Sequence, residues 1–470
     1  MIDTFRRRLN YIKDNCRYLQ YIVAVCVGVL ELSVNTHLVW ISPTLPCLLS
    51  NDSPIGRPLT DEESSWVIVS MNIGALCGCV LLALLFDILG RKPILLLGAV
   101  LVFSSWILIG VATSVGVLAF GRVVGGLGQG ISIPCLNVYI CEVSSKEIRG
   151  KLGAIPVVVS VFGNVFVLTA GPYLSYTILI ICCAIFPVVF IVLFSFMPES
   201  PYHLIKINKE RDAERSLQRL SKHTVCHSEI EAMLQEIVET AKRDECSQTL
   251  LQLLRLKTFR KSLLIVAIAD SVRIFSGMNF IGSYLQVIIG TSNMGLSHEL
   301  FSVIYGLVQI PSVLLSGVLV DKFGRKPLFC ISSLGAGVAL IVEGIYLYLQ
   351  MTVDLSAVSS LPILCLTLFK IFVSFGIFYM PQLFGGELFS ISSKKMGNLI
   401  SMCYYYTLSF VYMKVFGTLS TVWGMYTIFW ISAGACFLGV PFSLYILLET
   451  KGKSLEEIQN DLSSTGNGSL

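Results

Sequence analysis

"DILGRKP" occupies residues 87–93, and "DKFGRKP" occupies residues 321–327. The two heptapeptides carry an acid, a glycine, an arginine, a lysine and a proline in one register, 234 residues apart. Each follows one long apolar stretch and opens the next. Glycine lets the backbone turn tightly between antiparallel helices, and proline fits the first turn of the helix that follows. The same polar turn placed twice between apolar segments marks a chain built as a repeat.

Of 470 residues, 54% are hydrophobic and 14% charged, against about 25% charged in a soluble protein. Apolar runs of about 20 residues predict twelve spans, at 19–41, 64–86, 93–113, 117–140, 153–174, 176–196, 262–290, 299–320, 327–349, 361–386, 396–418 and 423–448. The expected fold is an all-α membrane protein of twelve transmembrane helices. Of the 34 Lys and Arg, five fall in the first 18 residues and twelve in 197–261, whereas loops on the other side hold only Arg57. Basic loops stay in the cytoplasm, so both termini are expected inside. The net charge of +4 then reports topology and gives no reason to expect nucleic acid. The first apolar run is too long for a cleavable signal core. Of the cysteines, Cys47 alone falls in an outside loop; the others read as packing residues, and no disulfide framework is expected. Asn51-Asp52-Ser53 is a glycosylation sequon in the first outside loop, while the second match, at Asn467, lies in the cytoplasmic tail.

The repeat continues beyond the heptapeptide. Glu142 stands seven residues before Arg149 in "YICEVSSKEIRG" (139–150), and Glu387 seven before Lys394 in "FGGELFSISSKKMG" (384–397). Glu199 closes the sixth span, and Glu449 the twelfth. These landmarks divide the chain into a cytoplasmic N-terminus (1–18), a six-helix bundle (19–196), a cytoplasmic linker (197–261), a second bundle (262–448) and a tail (449–470). The linker predicts short amphipathic helices near 208–221 and 228–242. Arg91 and Arg325, flanked by Asp87 and Asp321, are expected to reach Glu142 and Glu199 in one half, and Glu387 and Glu449 in the other. Such pairs would form only when the cytoplasmic side is shut, so they would bias a two-state equilibrium.

The sequence resembles the sugar porter family of the major facilitator superfamily, closest in look to insect facilitated trehalose transporters and related glucose facilitators. The resemblance rests on both D-x-x-G-R-K-P turns, "GRVVGGLGQG" (121–130), "VYICEVS", "PESP", "SGMN" (276–279), "GGELF" and "ETKGKSLEEI" (449–458). It implies two six-helix halves rocking around a solute held near mid-membrane. Asn279, after S-G-M, matches a family sugar-binding asparagine; Tyr284 matches an aromatic that shuts the outer side; Gln309 replaces a family asparagine. Elsewhere the pocket departs from the pattern. Val157 stands where the family has glutamine, Arg273-Ile274 where it has Gln-Gln, Gln382 where it has tryptophan, and Tyr405-Tyr406 where it has Asn-Trp. The family's proton-linked acid lands near Asn35 or Thr36, which carry no charge, so passive transport is expected.

"GLGQG" mimics a dinucleotide loop, but it lies inside an apolar span; its glycines suit close helix approach. The five His are scattered, with no metal-ligand spacing. Glu31, Asp270, Arg273, Glu343 and Lys370 are charges inside spans and therefore functional candidates, with Asp270 and Arg273 expected to neutralise one another. The expected function is facilitated transport of a hexose or a disaccharide such as trehalose across the plasma membrane, without cofactor, metal or obligatory oligomer. A same-fold transporter of another solute, a proton-coupled symporter and a non-transporting sensor stay open as alternatives. No nucleophile–base pair or phosphate loop supports an enzyme.

Overall fold

The structure, a computed structural model, describes residues 18–145, 148–221, 230–235, 237–238, 250–291, 297–355, 358–390, 393–453 and 455–464. Among these, eleven helices are long and apolar enough to cross a membrane. The 30-residue helix Lys394–Trp423 matches them in length and supplies the twelfth. Numbered in chain order, spans 1 to 6 are Tyr18–Leu49, Asp61–Leu89, Arg91–Gly110, Val115–Val143, Gly150–Ala170 and Tyr176–Ser195. Spans 7 to 10 are Lys257–Gly290, His298–Phe323, Arg325–Leu349 and Leu361–Glu387, span 11 is Lys394–Trp423, and span 12 is Met425–Ile446. Span 1 is longer than the apolar run alone implied, and Cys47 sits in its last turns instead of a loop.

How each helix starts depends on the end of the bundle it starts from. At the end opposite the heptapeptides, hydroxyl caps open spans 2, 4, 6 and 8. Thr60 and Glu63 form a reciprocal capping box for span 2, and Ser114, Ser175 and Ser297 cap spans 4, 6 and 8. At the motif end, spans 3 and 9 begin after Gly90 (φ 87°) and Gly324 (φ 94°), which have no side chain to cap with. Their free N–H groups are met by distant carboxylates.

Spans 2 and 4 pack closely within the first half. A Cβ on Gly126 would lie 2.0 Å from the Met71 carbonyl oxygen, so only glycine allows that approach. Spans 7, 8 and 10 are interrupted near Gly277, Val308 and Gly376, and span 1 near Trp40. Span 2 of the first half packs along span 11 of the second, and span 5 packs against span 8. The linker folds back as the short helices Pro201–Lys206 and Glu210–Leu220, joined through Leu204, Ile205, Ala213 and Leu217 to Ile230 and Ile237. Of the second linker helix expected near 228–242, residues 228–229, 236 and 239–242 lie outside the described residues.

Candidate substrate cavity and charged clasps

Glu199 and Glu449 are the carboxylates that meet spans 3 and 9. Glu199 accepts the backbone N–H groups of Arg91 (3.1 Å), Lys92 (3.1 Å) and Ser200 (2.8 Å). Glu449 accepts those of Arg325, Lys326 and Lys451, each at 3.0 Å. A carboxylate at a helix N-terminus satisfies orphan donors and complements the helix dipole. Both acids were expected to pair with arginine side chains; they bind the backbone instead. The turn glycine makes this possible, since a Cβ on Gly324 would lie 2.6 Å from a Glu449 carboxylate oxygen. Burial raises the Glu199 carboxyl, with the accepted N–H groups opposing it. For Glu449 burial also acts upward, but the three backbone donors and Arg325 leave the carboxyl below its usual value.

The guanidinium groups go to the other acids. Arg91 forms a bidentate pair with Glu142, Nε to Oε2 at 2.8 Å and Nη2 to Oε1 at 2.7 Å. It also donates to His203 Nδ1 at 3.1 Å and stacks on Phe86. Arg325 makes a single bond to Glu387 Oε1 at 2.8 Å, while the Thr450 hydroxyl donates to Glu387 Oε2 at 2.5 Å. Asp321 lies 3.9 Å from Arg325 and is 84% exposed. Each clasp therefore lies inside its own half and does not bridge the halves. Among the described residues, the ion pair that crosses is Asp87 with Lys395, at 2.7 Å; Asp87 also holds Lys206 of the linker at 2.9 Å. The side chain of Arg149 lies outside the described residues. Lys394, half-buried at the start of span 11, appears in none of the described ion pairs.

Between the halves lies a cavity of about 30 Å³. Asn72, Arg122 and Gln129 line it from the first half, and Asn279, Ser283, Tyr405, Tyr406 and Ser409 from the second. The volume suits about one water molecule, far below the 300 Å³ or so of a small-molecule site. The halves are thus closed around it. Asn279 donates to the Tyr405 hydroxyl at 3.0 Å. Arg122 is buried, donates to the backbone carbonyl of His37 and lies 3.1 Å from His37 Nδ1; His37 in turn bonds Ser105. His37 is thus a hydrogen-bonded packing residue.

Of the binding residues expected from sequence, Asn279, Tyr405 and Tyr406 reach this cavity. Tyr284 stacks on Phe280 outside it, with its hydroxyl beside Gly417 and near Ser65 at the far end. Gln309 is buried away from the cavity with an unpartnered Oε1, and Gln382 is half-buried on span 10. Arg273 does not ion-pair with Asp270: its guanidinium lies 4.9 Å from the Tyr405 ring centroid and 5.3 Å from that of Phe378. Glu343 and Lys370 do not pair either; both Glu343 oxygens are unpartnered, and Lys370 faces Tyr305. Asn72 and Gln129 were not singled out from sequence. Their signal is that of intramembrane amides, uncharged yet costly to bury alone.

Two six-helix bundles closed over a polar cavity at mid-span define a membrane transporter of the major facilitator type. The chain belongs to the family described as sugar (and other) transporter, which it matches over residues 40–462. It is 31% identical over 456 residues to the facilitated trehalose transporter Tret1 of Bombyx mori, covering 95% of this chain and 87% of that protein. It is 28% identical over 441 residues to Tret1 of Apis mellifera ligustica, with 94% and 88% coverage. Its fold matches the partially occluded, inward-open xylose transporter XylE from E. coli with a TM-score of 0.76 at 20% identity, over 93% of this chain and 99% of that one.

Proposed function

We propose that the protein carries a neutral sugar, a hexose or a disaccharide such as trehalose, across the plasma membrane by facilitated diffusion. The observation that carries this reading is the chemistry of the cavity. Asn72, Gln129 and Asn279 offer amides, Ser283 and Ser409 offer hydroxyls, and Tyr405 and Tyr406 offer aromatic faces, with no carboxylate among the lining residues. Such groups suit a polyol, and leaving them unpaired is what rejects a solute without hydroxyls. The Bombyx and Apis relatives, named as facilitated trehalose transporters, support the choice of sugar.

In this reading the bundles 19–196 and 262–448 rock about the cavity, and the motif end faces the cytoplasm with both termini and the 197–261 linker. Asn51, exposed in the far-end turn, then carries glycan. Asp87–Lys395 holds the inner side shut, while the Arg91–Glu142 and Arg325–Glu387 clasps keep each half rigid. The test is uptake of labelled trehalose, glucose and an uncharged non-sugar by purified protein in liposomes. Saturable sugar flux that Asn279→Ala reduces supports the reading; binding without flux in either form contradicts it. Glu31 favours proton coupling as a second reading, since it is buried in span 1 with an unpartnered Oε2. Flux that an imposed proton gradient drives uphill, and that Glu31→Gln uncouples, would select it.

A further inference from the structure

Between the cavity and the Asp87–Lys395 pair, two cysteines face each other across the halves. Cys79 belongs to span 2 and Cys403 to span 11. Cys79 precedes the motif end of its helix by ten residues, and Cys403 follows the start of its helix by nine. At 1.5 Å per residue, both thiols lie about 14–15 Å from the motif end. Spans 2 and 11 run antiparallel and pack together, and Cys403 packs against the cluster of Ala75, Cys79 and Tyr406 that joins them. Cys79 is fully buried, its sulfur 3.6 Å from the Gly130 carbonyl oxygen, and packs with Ala75 and Tyr406; Cys403 is half-buried. Tyr406 lines the cavity, and neither cysteine is among the cavity-lining residues.

We infer that Cys79 and Cys403 are a site of oxidative modification, where a disulfide ties the two halves together. The oxidant is a small neutral peroxide. The Cys403 sulfur attacks one peroxide oxygen, the O–O bond breaks, and a sulfenic acid and water form. The Cys79 sulfur then displaces the sulfenic oxygen as a second water, and the S–S bond forms. Two thiols lose two protons and two electrons, and one hydrogen peroxide becomes two waters. Cys403 reacts first because part of it is accessible, whereas Cys79 is sealed. Opening the motif end requires spans 2 and 11 to part at this level, so the bridge would arrest the cycle with the inner side shut. That consequence rests on the transport reading; the bond does not.

The experiment treats the full chain in liposomes with hydrogen peroxide, then measures cross-linked peptides by mass and uptake of a labelled sugar. The expected result is a peptide joining Cys79 to Cys403, lighter by two hydrogens, with uptake lost and then restored by a reducing thiol. Cys403→Ala should transport before treatment and keep transporting after it, and Cys79→Ser should behave alike. No 79–403 peptide, or equal loss of uptake in Cys403→Ala and the parent chain, overturns the inference. So does uptake that persists once the bridge has formed. Because the linked peptide is read by mass, failure of the sugar reading would leave the disulfide test standing.

Discussion

The same D-x-x-G-R-K-P pattern makes two different structures. In the first half Arg91 is held by both oxygens of Glu142 and by His203, and the paired side chains are only 8% and 13% exposed. In the second half Arg325 holds one oxygen of Glu387, its Nε is unpartnered, and the exposures are 13% and 22%. The leading aspartates differ more. Asp87 binds two lysines, one from the linker and one from the other half, whereas Asp321 is largely in solvent. What differs is the chain that follows. Four residues after Glu199 stands His203, which turns inward to Arg91; four after Glu449 stands Lys453, which pairs with Asp461 of the tail. A repeated motif fixes the turn and the helix start, and its surroundings decide how tightly the charges close.

Arg91→Gln should have the largest effect, since it strands a largely buried carboxylate. Breaking one side of such a pair costs about 3 kcal/mol, seen as a lower melting temperature of the detergent-purified protein. Arg325→Gln removes one charged hydrogen bond from a wetter site and should cost about 1.5 kcal/mol. Equal losses would erase the contrast between the halves. Asp87→Asn touches only half-exposed lysines and should cost under about 1 kcal/mol of stability, while making the motif end easier to open.

The smallest effect concerns pH. Burial, and then the charge of Arg91, lower the pKa of His203 to about 4, below the 6.5 or so of a free histidine. A depressed histidine stabilises the fold in its neutral form. That contribution is fully present above about pH 6.5 and fades as pH falls toward 4. His203→Gln should flatten the melting temperature across this window, and Arg325→Gln should leave its slope unchanged.

The fold was legible because long apolar runs and matched polar turns are written along the chain. The clasps were half legible. Sequence pairs acids with cations, so Glu199 and Glu449 were assigned to arginines; the backbone N–H groups that open spans 3 and 9 carry no letter. Asp87–Lys395 joins residues 308 apart, and nothing in the spacing announces it. The cavity was less legible still. Motif alignment placed Gln309 and Gln382 in it, yet neither is among its lining residues. Asn72 and Gln129 escaped notice because a neutral amide in an apolar span does not show which way it faces.

In the proposed cycle the clasps stiffen each half while Asp87–Lys395 holds the halves together at the motif end. The most direct measurement is the distance between spin labels at the motif ends of spans 2 and 11, in liposomes without sugar. Asp87→Asn and Lys395→Gln should each move the population toward the longer, open distance at nearly unchanged melting temperature. Arg325→Gln should lower the melting temperature and leave the distance distribution as it was. An open population that grows in Arg325→Gln and not in Asp87→Asn would contradict the claim.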